Sequence, residues 1–419
     1  MKTEVLKKLE SGSNVFLTGG AGVGKTTNTL EVIKHFEADA KKVAKLASTA
    51  MAATLIGGQT LHSFFDFGLS GSLDELEKNG KSDPKKKTKK LIKSIDLLVV
   101  DEISMVSAPL LDMMSFRLQQ CEFSGVILVV GDFLQLPPVV KGARDVEFAF
   151  GSDAWEELAF EVVELTHVYR TDDQAFIDLL QNIRYGYIDE TIHNQLNEFI
   201  KPLPNDMEDF TFLFGKNISA ARHNKQEIEK VEGELFVKEA QIVNHKKADE
   251  KEIKRFFDDA RIEKELELKI GVPILFTRNA WNYYNGERGV VVNIDEQYLY
   301  IQKSDGRVIK LESVVQSKSQ WVEKSVNGAR EMVEEERFSI YQYPVKLAYA
   351  ITIHKSQGMS IDHLIIDTKE IFAPSQFYVA LSRSSNPLHL ILIAPNTQWY
   401  NLAFVDPKAL TFVKQGSQC

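Results

Sequence analysis

Residues 14–26 read Asn14-Val15-Phe16-Leu17-Thr18 and then GGAGVGKT, Gly19 to Thr26. The apolar run predicts a strand, the glycine-rich run a loop, and Leu30 and Ile33 supply the apolar face of a following helix. Gly19, four residues, then Gly24-Lys25-Thr26 fit the P-loop pattern, in which backbone N–H groups surround phosphate oxygens at a helix N-terminus. Glycine is needed because the turn demands angles that a side chain obstructs, and because phosphate must reach the main chain. Gly20, Ala21, Gly22, Val23, Gly24, Lys25, Thr26 and Thr27 are therefore expected to hold a nucleotide. Lys25 would serve the β- and γ-phosphates as a point charge, and the Thr26 hydroxyl would hold Mg²⁺.

The chain has 419 residues, 44% hydrophobic and 26% charged, an ordinary globular balance with length for two to four domains. No apolar run approaches the roughly 18 residues of a membrane span, and the N-terminus Met1-Lys-Thr-Glu-Val lacks a signal-peptide pattern. A cytoplasmic protein without membrane contact is expected. Cys121 and Cys419 make neither a disulfide framework nor a metal-ligand spacing. The net charge of −9 argues against global attraction to nucleic acid, so such a partner would have to be held by a local groove.

Further along, residues 41–47 read as a second strand leading into a small-residue helix. The stretch GGQTLHSFF at 57–65 offers glycine, hydroxyl and histidine groups suited to phosphate contact, though the same residues make ordinary turns and caps. Lysines at 81, 85, 86, 87, 89, 90 and 93 form a charge run, which reads first as a solvated face and second as a phosphate contact. The apolar strand 95–100 ends in Asp101-Glu102. An aspartate at the carboxyl end of a strand beside a P-loop can hold Mg²⁺, and an adjacent glutamate can activate the attacking water. A second apolar strand, 126–130, runs into GDFLQLPP at 131–138, where the Gln135 amide could sense a γ-phosphate or simply shape a turn.

GGAGVGKT, TLHSF, DEISM (101–105), GDFLQLPP, LTHVYR (165–170), KLAYAITIHKSQG (346–358) and YVALSR (378–383) occur in the order seen in superfamily 1 helicases. The chain resembles the petite-integration-frequency and RecD-like helicases from Asn14 to about Ile393. The resemblance implies an α/β fold of two RecA-like domains with ATP and Mg²⁺ in the cleft between them and single-stranded DNA across their tops. It implies a first domain at 1–168 with a wedge insertion near 61–92, a second at 169–285 and 344–397, an SH3-like β insertion at 286–343, and a tail at 398–419. The short alternating segments 290–294, 298–301 and 308–311, with an Asp305-Gly306 turn, fit that insertion. Residues 240–265 read as solvated helix and loop.

The same resemblance assigns Arg170 and Arg383 to the γ-phosphate, and Gln357 and Gly358 to the nucleotide side of the helicase motif. It assigns Thr60, His62, Ser63, Pro138, His354 and Lys355 to the nucleic acid. It further implies 5′-to-3′ translocation on single strands, 5′-tailed or forked duplex as substrate, a monomer, and a cytoplasmic or nucleoid location. The glutamine that the family places before its first strand has no counterpart in residues 1–10.

A GTP-binding switch lacks its guanine-reading Asn-Lys-x-Asp string, the nearest being Asn224-Lys225-Gln226-Glu227. An ATP-gated clamp that binds nucleic acid without unwinding shares these ATPase motifs and stays open at this level. Lys25→Ala is expected to abolish ATP hydrolysis and leave the far-UV circular dichroism unchanged, since the lysine serves phosphates from a loop. Residual hydrolysis above a tenth of the parent rate would overturn the P-loop assignment.

Overall fold

In the computed structural model, Val15–Gly19 is strand β1, the second strand from one edge of a six-stranded sheet. The structure describes residues 2–68, 70–138, 147–207, 209–244, 248–260, 262–326, 329–394 and 398–416. The other strands are β2 (Val43–Ala47), β3 (Gln59–Thr60), β4 (Leu97–Asp101), β5 (Val126–Val130) and β6 (Glu161–Leu165). Their order is β3-β2-β4-β5-β1-β6, every pair parallel. Parallel sheets are covered on both faces, which is why β4 and β5 are nearly continuous runs of valine, leucine and isoleucine.

Alternation sorts the strand residues between two cores. Val15, Leu17, Val99 and Leu128 pack with Val5 and Leu9 of helix α1 (Lys2–Glu10) and with Val32, Ile33 and Phe36 of α2 (Lys25–Ala38). Phe16, Leu98, Val100 and Val129 face the other way, onto Leu110, Leu111 and Met114 of the helix Ala108–Gln120. Because all strands run the same way, Gly19, Asp101 and Gly131 emerge together at one edge.

Residues 61–92 form three short helices, Leu61–Phe64, Leu73–Lys78 and Lys86–Lys93. Phe64, Phe65, Phe67, Leu76, Leu91 and Ile92 are buried in the first domain's own core. The insertion is therefore rooted in the domain. Its lysine run meets carboxylates: Lys81 and Lys85 pair with Asp66, Lys89 and Lys93 with Glu122, and Lys90 with Glu323.

The second domain holds a four-stranded parallel sheet ordered Ala350–Thr352, Thr211–Phe214, Leu364–Asp367, Leu390–Ile393. Both domains thus have the expected α/β form. Between their segments lies a five-stranded antiparallel sheet, ordered Val308–Leu311, Leu299–Lys303, Arg288–Ile294, Pro273–Phe276, Val345–Leu347. It takes in a strand on each side of the expected 286–343. Ile274 pairs with Leu347, and the insertion's core of Ile274, Phe276, Val291, Leu299 and Ile301 closes only with both.

The segments Val314–Val326 and Ala329–Gln342 form a long hairpin. Its charged and polar composition carries no clear period-2 signal. Gln241–Asn244, within the stretch expected to be solvated helix and loop, adds a third strand to it. The hairpin leans on the first domain, where Met332 is buried in the core, Trp321 packs against it, and Lys318 donates to Ser63 at 2.7 Å.

The expected tail at 398–419 is instead a packed segment through residue 416. Trp399 is fully buried in the second domain, and the helix Pro407–Gly416 returns to the first. There Phe412 stacks on Phe150 at 4.3 Å and meets Phe133 and Trp155 edge-on. Aromatic residues separated by more than 250 positions form this cluster, so no local pattern announces it. Among the described residues, no helix is long and apolar enough to cross a membrane.

Phe412→Ala is expected to lower the unfolding free energy by about 3 kcal/mol, the scale of losing a packed phenyl ring. Denaturant unfolding of the two proteins measures it. A change below about 0.5 kcal/mol would mean that the helix does not dock.

Candidate active site

The loop between β1 and α2 is shaped by its glycines. Gly19 has φ 139°, and a Cβ there would lie 2.3 Å from the Leu165 carbonyl oxygen; Gly22 has φ 79° and faces the Arg170 Cβ at 2.8 Å. Lys25 Nζ donates to the carbonyls of Gly19 at 2.7 Å and Gly20 at 2.8 Å, so the lysine folds back over its own loop. Burial holds its ammonium below the usual range, against the pull of Asp132, Glu102 and Asp101. Gly24 caps α2 at φ 82°, Val23 is buried, and Thr26 and Thr27 are exposed in the first turn.

Asp101 ends β4, and its Oδ1 accepts the Glu102 N–H at 2.9 Å. Burial and the neighbouring Glu102 push its carboxyl up to about 7. Burial also raises Glu102, although Lys25 and Arg383 pull the other way. Glu102 sits at φ 53°, in the left-handed region that a non-glycine residue occupies at a cost. Two crowded carboxylates favour a cation nearby. Their oxygens are donors of the kind Mg²⁺ takes.

Beyond β5, Asp132 is the hub of the GDFLQLPP turn. It accepts Leu134 N–H at 3.1 Å and Gln135 Nε2 at 3.2 Å. The Arg184 guanidinium, at the end of the second-domain helix Gln174–Arg184, grips both carboxylate oxygens at 3.0 and 3.1 Å. Both side chains are buried. Burial works to raise Asp132, but Arg184 and Lys25 outweigh it and hold the carboxyl below its usual range.

The second domain closes the other side. Tyr378 Oη accepts the Ala21 N–H at 2.8 Å, and burial with the Asp132 charge pushes its phenol up to about 12. Arg383, buried, donates to Val379 O, Ser382 Oγ and Ser356 O. Arg170 lies in the crossing segment, its Cβ close against Gly22, with its guanidinium held by Ser360 Oγ at 2.9 Å and Ser382 O at 2.5 Å. Burial and mutual repulsion pull Arg170 down to about 9; burial pulls Arg383 down to about 10. Neither has a carboxylate hydrogen-bond or ion-pair partner among the described residues. Gln357 Nε2 is buried with no hydrogen-bond partner among the described residues, and Gly358 lies near Leu55 of the first domain.

Thr60 caps the helix Leu61–Phe64 by accepting Ser63 N–H, and Ser63 Oγ donates to Gln59. His62 is half-buried, its ring 6.2 Å from Phe67. Thr60 lines a cavity of about 460 Å³ shared with Arg278, Asn279 and hairpin residues 315–319. Lys355, beside His354, lines a separate cavity of about 290 Å³ on the second domain with Asn217 and Lys346. The expected nucleic-acid residues therefore fall on two surfaces. Pro138 is buried, and the residues that follow it, 139–146, lie outside the described ones.

A PIF1-like helicase family model matches residues 3–194. An ATP-dependent DNA helicase Pif1 of Campylobacter jejuni is 40% identical over 98% of this chain and 96% of its own length. The chain belongs to the PIF1-like helicase family. A Pif1 from a Bacteroides species in complex with ADP-AlF4 superposes with TM-score 0.83 at 28% identity, covering 100% of this chain and 96% of that one. The Bacteroides Pif1 bound to single-stranded DNA gives TM-score 0.65 at the same identity and coverage. Identical coverage with a lower score points to a different arrangement of the same parts.

In this PIF1-like chain, sequence reasoning missed Tyr378, Asp132, Arg184 and Tyr169. Tyr169 is 69% exposed, and its ring lies 3.6 Å from where a Gly24 Cβ would stand, a flat surface beside the P-loop. Arg184 left one signal. Phe176, Leu179 and Ile183 mark the helix's buried stripe, and an arginine eight residues after Phe176 falls on that same stripe.

Removing one partner of a buried ion pair leaves a buried charge. Arg184→Ala and Asp132→Ala are each expected to lower unfolding free energy by about 3–5 kcal/mol, and Arg184→Met with Asp132→Leu by distinctly less. Denaturant titration of the three variants checks this. Additive losses would show that the pair does not act as a unit.

Proposed function

We propose that this chain is an ATP-dependent DNA helicase that hydrolyses ATP between its two RecA-like domains and moves 5′-to-3′ on single-stranded DNA. The observation that carries this is one cleft in which the P-loop lysine and the Asp101-Glu102 pair meet two buried arginines that, among the described residues, have no carboxylate ion-pair partner. Arg170 and Arg383 repel each other there, and a triphosphate is the anion that relieves both.

Lys25, held by two loop carbonyls, is placed to turn toward the β- and γ-phosphates. Asp101 and Thr26 would hold Mg²⁺, which supplies charge neutralisation on the phosphate oxygens. Glu102, whose buried carboxylate is a stronger base than an exposed one, is suited to orient a water and accept its proton. Gln135, steadied by Asp132, can donate to the γ-phosphate. Arg170 and Arg383 stabilise the charge that develops in transfer. Tyr169 offers a face on which a base can stack.

The named activity of the relatives, the DNA-bound Bacteroides structures, and the residues Thr60, His62, Ser63, His354 and Lys355 support single-stranded DNA as the track. The forked-DNA complex of a Pif1 helicase supports forked duplex as substrate. A strand-displacement assay tests the proposal directly. A 5′-tailed duplex should be separated with ATP and a 3′-tailed one should not. ATP hydrolysis stimulated by oligo(dT) without displacement would leave the clamp reading in its place.

Arg383→Ala should lower kcat by about 10²- to 10⁵-fold while ATP affinity changes far less, since the contact is made mainly in the transition state. Arg383→Lys should stay severely impaired, because lysine lacks the planar fork. Single-turnover hydrolysis with saturating ATP and single-stranded DNA separates these effects. A normal chemical step in Arg383→Ala would remove the residue from the site.

A further inference from the structure

Trp281 is 95% exposed, the most exposed of the large apolar side chains among the described residues. Such a side chain adds nothing to packing, yet the loop that carries it, between the strands Pro273–Phe276 and Arg288–Ile294, is firmly built. Ala280 N–H donates to Tyr283 O at 2.8 Å, Asn285 N–H to Asn279 Oδ1 at 2.7 Å, and Gly286 N–H to Phe276 O at 2.8 Å. The Tyr283 ring stacks on Phe276 at 4.2 Å. Beneath them Lys303 pairs with Glu287 at 2.7 Å, both buried, and also donates to the Asn282 carbonyl. This base holds residues 278–281 outward as an exposed tip.

The tip stands at a groove. Thr277, Arg278 and Asn279 line the 460 Å³ cavity whose other walls are Gly57 to Thr60 of the first domain and residues 315–319 of the hairpin. Trp281 follows that wall by two residues. Arg278 has no ion-pair partner among the described residues. An exposed indole three residues along the same tip from a guanidinium without an ion-pair partner among the described residues, on a hydrogen-bonded support at a groove edge, is the combination that binds unpaired bases by stacking and their phosphate by charge.

We infer that Trp281 and Arg278 form a stacking subsite for one unpaired nucleobase of the bound strand, Trp281 taking the base face and Arg278 the adjoining phosphate. The inference rests on the single-stranded DNA reading above and adds a site to it. Stacking is tolerant of base identity, so the subsite grips the strand without selecting sequence.

Intrinsic fluorescence tests it. Of the four tryptophans, Trp399 is buried and Trp155 and Trp321 are partly so, which leaves Trp281 as the main acrylamide-accessible emitter. Oligo(dT), with binding followed separately by the anisotropy of a labelled strand, should quench the emission and shield it from acrylamide. Trp281→Phe should abolish both responses while retaining most of the affinity. Trp281→Ala, with circular dichroism unchanged, should weaken oligo(dT) binding by about five- to a hundredfold. If oligo(dT) binds by anisotropy while tryptophan emission and the affinity of Trp281→Ala stay at parent values, the subsite is wrong and the helicase reading stands. No anisotropy change at any concentration would remove the DNA reading and the subsite together.

Discussion

Arg184 and Asp132 meet from different domains, out of water, through two hydrogen bonds. Asp132 also lies close enough to Lys25 to act on its charge. An unpaired carboxylate there would compete with phosphate for the lysine. Arg184 satisfies Asp132 from the far side, so the lysine remains available and Gln135 keeps a fixed acceptor. The same approach of the second domain brings Tyr378 onto Ala21 and sets Arg170 beside the P-loop. The chemistry of the cleft thus depends on one ion pair that also joins its walls.

Two further bridges hold the domains at other points. The long hairpin of the insertion lays Met332 into the first domain's core and donates from Lys318 to Ser63, while the C-terminal helix docks Phe412 among Phe133, Phe150 and Trp155. Each bridge is a packed contact with few intermediate positions. The Bacteroides structures align over the same length of this chain but superpose with TM-score 0.83 with a nucleotide analogue and 0.65 with single-stranded DNA.

The legible features were those whose chemistry is local. The P-loop, the strand ending in Asp101-Glu102, the GDFLQLPP turn and the Asp305-Gly306 hairpin each follow from a short run of residues, and each lies where the pattern placed it. The lysine run was legible only as charge; that its lysines hold Asp66, Glu122 and Glu323 required knowing which carboxylates the fold brings near. The hairpin Val314–Val326 with Ala329–Gln342 was silent, since its mixed polar faces give no period. Arg184 stood on an apolar helical stripe, a visible anomaly whose partner was not visible.

By itself, then, the sequence determined which backbone could cradle phosphate, which strands would be buried on both faces, and which carboxylates would end beside the loop. These follow from glycine conformations, apolar periodicity and parallel order, all set within a few tens of residues. Tertiary structure alone decided that Asp132 is paired with Arg184, that Arg170 and Arg383 have no carboxylate ion-pair partner among the described residues, that Trp399 and Phe412 tie residues 399–412 to both domains, and that Trp281 is left in solvent. Burial and charge pairing are properties of neighbours in space, and here those neighbours come from separate parts of the chain.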